Sequence, residues 1–248
     1  MKKIMKVAIC LTVAVLSFTA CKKSDNITNN SNTLSLTLSA QGIPTDTNFS
    51  GILMTMSSPV YGSGVFGYAT FNTSPTAFSI DSYVFAGGDC SVDSVMINDI
   101  LLQGTVSGVF TNPVSGLSTL PPAKWVVKGG TYPIPSFTYT NTTPLPTYTG
   151  TLSFSTISRA NNLTISAANF SGYDMVRVDV ISASGSSQYV TAKSGSNVIF
   201  PSTLLEQLPA DSGYVSVSLY KYNGQTVNGK NFLFITGVSV PQSRVTLQ

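Results

Sequence analysis

From Gly213 to Tyr222 the chain alternates without a break, with Val215, Val217 and Leu219 on one parity and Tyr214, Ser216, Ser218, Tyr220 and Tyr222 on the other. Successive side chains of an extended strand point to opposite faces, so this segment reads as a strand with an aliphatic face and a tyrosine–serine face. The same period recurs at Leu34, Leu36, Leu38 and Ala40. It recurs again at Val176, Val178 and Val180, where Arg177 and Asp179 take the other face. Further strand-like runs lie at 51–56, 65–72, 77–85, 94–102, 105–110, 124–128 and 136–140, and then at 150–156, 161–167, 173–182, 187–192, 196–200, 231–240 and 243–247. Clusters of Gly, Pro, Asn and Ser separate most of them. Strong helix formers are scarce: Glu206 is the sole glutamate and charged residues make up 9% of the chain. Ser, Thr, Asn and Gly take over the solvent-facing role, as suits strands. The pattern predicts an all-β sandwich or barrel.

One helix is expected, at 202–208. Thr203 and Glu206 have the T-x-x-E spacing of a capping box, and Pro201 and Pro209 bracket the segment. The run Asn141-Thr-Thr-Pro144-Leu-Pro146-Thr147 carries two prolines that cannot donate ladder hydrogen bonds. It predicts a hinge at 142–149 between two antiparallel β-sandwich domains, 34–141 and 150–248; a crossover within one sandwich is the alternative. About seven strands in the second half, with a helical turn before strand 213–222, resemble immunoglobulin-like and fibronectin-like sandwiches, without the Cys–Trp–Cys pattern of antibody domains.

The N-terminus addresses the chain. Lys2, Lys3 and Lys6 precede an apolar run over 7–18, and Thr19-Ala20-Cys21 closes it with small residues, the layout of a secretory signal. The run is short of the ~20 residues that span a bilayer. Phe18-Thr19-Ala20-Cys21 resembles the lipobox of bacterial lipoproteins. That resemblance implies cleavage of residues 1–20, a diacylglycerol on Cys21 and attachment to the membrane through it. Residues 21–33 have almost no apolar content and are expected to form a flexible tether. The KKSDN that follows Cys21 resembles lipoproteins of the Bacteroidota, as does the whole plan of tether and immunoglobulin-like β-sandwich modules. This implies a cell-envelope, outer-membrane location, with the periplasmic and the surface side both open.

Removing the signal also removes the apparent basicity. Thirteen Lys and Arg less Lys2, Lys3 and Lys6 leaves ten, against ten Asp and Glu. A neutral mature chain gives no footing for nucleic acid. Cys10 departs with the signal and Cys21 takes the lipid, so Cys90 has no partner for a disulfide.

Candidate chemistry is sparse, and neither a catalytic group nor a cofactor or metal is expected. The chain has no histidine, which excludes Ser-His-Asp and Cys-His triads and His-rich zinc sites. Ser218-Leu-Tyr-Lys221 spells S-x-x-K and Lys193-Ser-Gly195 resembles the K-[ST]-G of penicillin-binding enzymes, but on a strand Ser218 and Lys221 point to opposite faces. Asp174 and Asp179 are likewise at odd spacing, which denies them a shared face for glycoside hydrolysis. Gly87-Gly88-Asp89-Cys90-Ser91-Val92-Asp93 offers carboxylates but no EF-hand spacing. Asp93-Ser94-Val95 is similar to the O-glycosylation pattern of Bacteroidota, which requires an exposed Ser94. Trp125 reads as core.

Tyrosines are the remaining lead. If Val215, Val217 and Leu219 are core, then Tyr214, Tyr220 and Tyr222 lie on the other face, where aromatic rings stack on sugars or anchor a protein partner; packing against neighbouring strands or the other domain is the role that residue statistics favour for them. The expected function is a lipid-anchored, non-catalytic envelope protein that binds a glycan or protein. The alternative is a structural subunit of an outer-membrane or surface assembly.

Overall fold

The computed structural model describes residues 30–45, 49–58, 64–76, 92–104, 109–111, 122–129, 134–193 and 195–248. The expected signal at 1–20, Cys21, Cys90, Asp89, residues 21–29 of the expected tether, the expected strand at 77–85 and most of that at 105–110 lie outside them. The described chain is all-β with one short helix. Its first half supplies β1 (Ser31–Leu34), β2 (Phe49–Ser58), β3 (Gly64–Thr76), β4 (Val92–Ile97), β5 (Ile100–Leu101), β6 (Gln103–Gly104), β7 (Val109–Thr111), β8 (Ala123–Gly129) and β9 (Phe137–Asn141). The second half supplies β10 (Thr147–Tyr148), β11 (Thr156–Ile157), β12 (Leu163–Ser166), β13 (Phe170–Ser171), β14 (Met175–Ser182), β15 (Gly185–Ala192) and β16 (Asn197–Phe200), then helix α1 (Ser202–Leu205), β17 (Ser212–Val227) and β18 (Lys230–Leu247).

The hairpin of β17 and β18 organises everything else. Expected strands at 231–240 and 243–247 are one strand, and the expected strand 213–222 runs on to Val227. The two close through a turn at Asn228 and Gly229, both at positive φ (50° and 76°), the backbone a two-residue type I′ hairpin requires. Around it lies a ten-stranded sheet ordered β15-β14-β17-β18-β2-β3-β7-β6, with β1 on β17 and β11 on β18. β2 pairs with β18 in parallel, from Phe49 opposite Asn231 to Ser57 opposite Val238. β11 is parallel to β18 as well, so the expected all-antiparallel pairing holds elsewhere but not at these two seams. Strands from 34–141 and from 150–248 thus share one sheet.

Along one face of β18 the side chains pass from one core to the next. Phe232 and Phe234 join a core closed by the separate sheet β5-β4-β8-β9, with Trp125, Val127 and Phe137 fully buried; Phe137 meets Phe232 at 4.6 Å and Tyr139 meets Phe234 at 4.3 Å between ring centroids. Val238 and Val240 belong to a second core with Val178, Val217, Phe200 and Leu205, closed by β12, β16 and α1. Thr236 lies between, buried, its hydroxyl donating to the Pro144 carbonyl at 3.2 Å. The predicted hinge residues therefore lie against the shared sheet. The seam is polar: Asn223 donates to Tyr139 Oη (3.1 Å) and Asn141 Oδ1 (2.9 Å), and Gln225 donates to Asn223 (2.7 Å).

Two local expectations change. α1 covers only 202–205, and its N-cap is Pro201, with no side-chain cap. Thr203 lies inside the helix rather than at its cap, so no capping box forms, and Asn162 Oδ1 accepts the Ser202 N–H at 2.8 Å instead. The single strand expected at 94–102 is a hairpin, β4–β5, turning at Asn98 and Asp99 with φ of 47° and 65°.

Candidate binding surface on the long hairpin

The odd face of β17 is core, as the alternation requires: Val215, Val217 and Leu219 are fully buried. The even face divides. Tyr220 is 1% exposed and Tyr222 7%, whereas Tyr214 is 45% exposed. The expectation that all three tyrosines face outward is corrected for Tyr220 and Tyr222. They belong to a third core on the opposite side of the sheet, with Phe49, Ile52, Met54, Tyr68, Met175 and Leu233. Tyr220 sits opposite Gly237 in register, and a Cβ there would come within 3.2 Å of its ring. Tyr222 Oη donates to Met175 Sδ at 3.0 Å.

What covers this face is the segment 31–45. The tether was expected to run to 33 and a strand to begin at 34, but Ser31–Leu34 already pairs with Val227–Gly224 as β1. The chain then leaves the sheet plane and lays Leu36 and Ile43 on the third core. Gly224 allows this approach: a Cβ at that position would lie 2.6 Å from Leu36 Cδ2 and 3.0 Å from the Leu34 carbonyl oxygen. Gly42 packs equally close to Ala192 and Asp174 at positive φ.

β1 and β14 lie in line along one side of β17, Leu34 opposite Gly224 and Met175 opposite Tyr220. Between them is a cleft of about 270 Å³ bordered by Leu34, Leu36, Leu38, Asp174, Tyr222 and Gly224. Asp174 reaches into the break in the row. Its Oδ2 accepts the Tyr222 backbone N–H at 2.9 Å and its Oδ1 the Lys221 ammonium at 2.7 Å. This carboxylate stands in for the missing strand residue, which explains why both its oxygens are engaged.

Beyond the reach of segment 31–45 the even face is exposed at its end, around Tyr214, while Ser216 and Ser218 remain buried. Tyr214 stands between Ile181 of β14 and Arg244 of β18, and Ile181 is 38% exposed. Asp179 and Arg177 continue the face, opposite Ser216 and Ser218. Arg177 grips Asp179 as a fork, through Nε at 2.9 Å to each oxygen and Nη2 at 2.7 Å, the strongest geometry for such a pair. The i, i+2 spacing of these two charges made their shared face legible in the sequence. Asp174 and the leucine cleft gave no such signal, because they come together only through the placement of β1.

The other residues singled out are scattered. Ser218 is buried, while Lys221 is tied to Asp174 on the opposite face. Lys193 lies 5.4 Å over the ring of Tyr173. Asp93 is exposed and Ser94 half-buried, and Trp125 is fully buried. Among the described residues, no three His, Cys, Asp or Glu side chains converge as a metal site. No protein-family model matches the chain, and no curated protein is significantly similar to it.

Proposed function

We propose that the protein is an exported, lipid-anchored, non-catalytic envelope protein that binds a glycan chain or an envelope protein through the exposed end of β14, β17 and β18 around Tyr214. The observation that carries this reading is the exposure of Tyr214 and Ile181, directly opposite each other, on a face whose other two tyrosines are covered. An aromatic ring beside an aliphatic side chain, flanked by the exposed Arg244, is the composition of a recognition surface: apolar area with a polar group that fixes orientation. Its spread over three strands suits an extended partner better than an enclosed small molecule. The signal at 1–20 and Cys21 support the anchored, exported part of the reading.

The test is binding of the purified protein, and of its Tyr214→Ala and Ile181→Ser variants, to a glycan array and a panel of purified envelope proteins. A ligand is expected whose affinity falls at least about tenfold in each variant, a loss of ~1.4 kcal/mol, with an unchanged melting temperature. Unaltered binding by a folded Tyr214→Ala variant would place the site elsewhere.

A further inference from the structure

We infer that the exposed end of the sheet selects an acidic saccharide: a hexuronate ring lies on Tyr214 and Arg244 holds its carboxylate. This ligand class presupposes the binding face proposed above. Four side chains form one row across four strands. In register, Ser186 of β15 stands opposite Ile181 of β14, Ile181 opposite Tyr214 of β17, and Tyr214 opposite Arg244 of β18. Their chain neighbours Val180, Val215 and Val245 are buried in the second core, so the row faces away from it. Ser186 and Arg244 are exposed, as Ile181 and Tyr214 are. With neighbouring strands ~4.8 Å apart, the row is about 14 Å long, room for a short run of sugar rings.

The charge on this row has no partner within the molecule. The chain has three arginines. Arg177 is committed to Asp179, and Arg159 donates to the Leu208 carbonyl at 2.7 Å. Arg244 makes neither an ion pair nor a hydrogen bond through its side chain among the described residues. Two carboxylates close along the same strands are engaged elsewhere: Asp179 sits in the fork with Arg177, and Asp211 Oδ1 accepts the Ser212 N–H at 2.6 Å. An exposed guanidinium presents a planar fork that matches a carboxylate through two parallel hydrogen bonds.

The remaining surroundings suit a sugar better than a protein. Two residues further along the strands, Ser212 stands opposite Thr246 and Thr246 opposite Thr156; all three are exposed and offer hydroxyls. The row's exposed apolar area is one ring and one aliphatic side chain, far short of the ~1,000 Å² of a firm protein interface but matched to the C–H face of a single pyranose. Cross-strand neighbours have Cβ atoms ~4.5–5.5 Å apart. A ring seated on Tyr214 therefore brings a carboxylate on its edge to Arg244, while its hydroxyls meet those of the next row.

The test is calorimetric titration of the purified protein with oligomers of galacturonate, mannuronate and glucuronate, each beside its methyl ester, which keeps the ring and removes the charge. At least one free acid should bind about tenfold or more tightly than its ester, and less tightly as salt is raised. Arg244→Gln should bring that acid down to the affinity of its ester, and Arg244→Lys, which keeps the charge without the fork, should restore only part of the difference. Tyr214→Ala should weaken acid and ester alike. Both positions are exposed, so melting temperatures should not change. Equal binding of acid and ester overturns the proposal, as does binding of none of the three acids, or an Arg244→Gln variant that still discriminates as the wild type does. Polyglutamate bound as tightly as the best oligouronate overturns it in favour of an acidic protein segment. Should Arg244→Gln not fold, Arg244→Lys decides together with the wild-type comparison of acid and ester. A neutral ligand that depends on Tyr214 but not on Arg244 would remove the acidic saccharide and leave the binding face standing; a ligand indifferent to Tyr214 would remove the face itself.

Discussion

Tyr214 and Tyr220 sit on the same face of the same strand, six residues apart, and have opposite fates. Tyr220 is 1% exposed and Tyr214 45%. Nothing within β17 separates them. The difference is made by a segment almost two hundred residues away in sequence, 31–45, which covers one end of the face and stops short of the other. Alternation fixes which residues share a face. Whether that face meets solvent depends on what the rest of the chain lays across it.

The comparison can be broken most directly by truncation. Tyr220→Ala should cost about 3–5 kcal/mol, as large-to-small changes in a packed core do, measured by denaturant unfolding; a cost near zero would mean that the third core is not packed. Next comes alkaline pH. Burial pushes the Tyr68 phenol, in the same core, from 10.0 up to about 12. The folded state then holds a proton that the unfolded chain releases, so stability is full below pH 10 and falls by about 2 kcal/mol as pH rises towards 12. Tyr68→Phe should flatten that part of the stability profile. Gly224→Ala should cost about 1–3 kcal/mol, because the new methyl meets Leu36 and the Leu34 carbonyl. Amide exchange in β1 should accelerate with it, while Tyr214 is unaffected. Asp174→Ala should cost about 1–2 kcal/mol by stranding the Tyr222 N–H. Lys221→Ala removes only a partly exposed charge from the pair and should cost under about 1 kcal/mol. Smallest is Tyr214→Ala, expected within about 0.5 kcal/mol of wild type; a large loss there would show the open face to be covered as well.

Much of the fold was legible because its signals are local. The periods over 173–182 and 213–222 mark β14 and the first part of β17, and Pro201 and Pro209 frame α1. The failures are equally specific. The chain contains Asn223-Gly224 and Asn228-Gly229, the same turn dipeptide twice, and only the second turns. Asn223-Gly224 stays extended because Phe234 and Leu233 pair with it on one side, β1 pairs with Gly224 on the other, and Leu36 needs the bare glycine surface. Neighbours remote in sequence overrode a local preference. The sharing of one sheet by both halves was hidden for a similar reason. β2 pairs in parallel with β18, and a parallel pairing between strands so far apart leaves no turn signal between them. Of the candidate surface, the tyrosine parity and the Arg177–Asp179 spacing could be read directly, and packing was the favoured role for the tyrosines; that Tyr220 and Tyr222 are covered while Tyr214 is not could not be read.

The clasp at the start of the described chain has a mechanical consequence. Asn30 and Asn228 hold each other at the hairpin tip: the Asn228 N–H donates to the Asn30 carbonyl at 3.0 Å and the Asn30 N–H to Asn228 Oδ1 at 3.3 Å. If a lipid on Cys21 fixes the chain to a membrane, any load on the folded part enters here, beside the tip of the longest hairpin. A pull along that axis loads the whole β1 ladder, Ser31 to Leu34 against Val227 to Gly224, in shear, so that its hydrogen bonds resist together instead of opening one at a time. Only when that ladder gives does the load reach Leu36 on Gly224, and its release would bare the tyrosines of the third core.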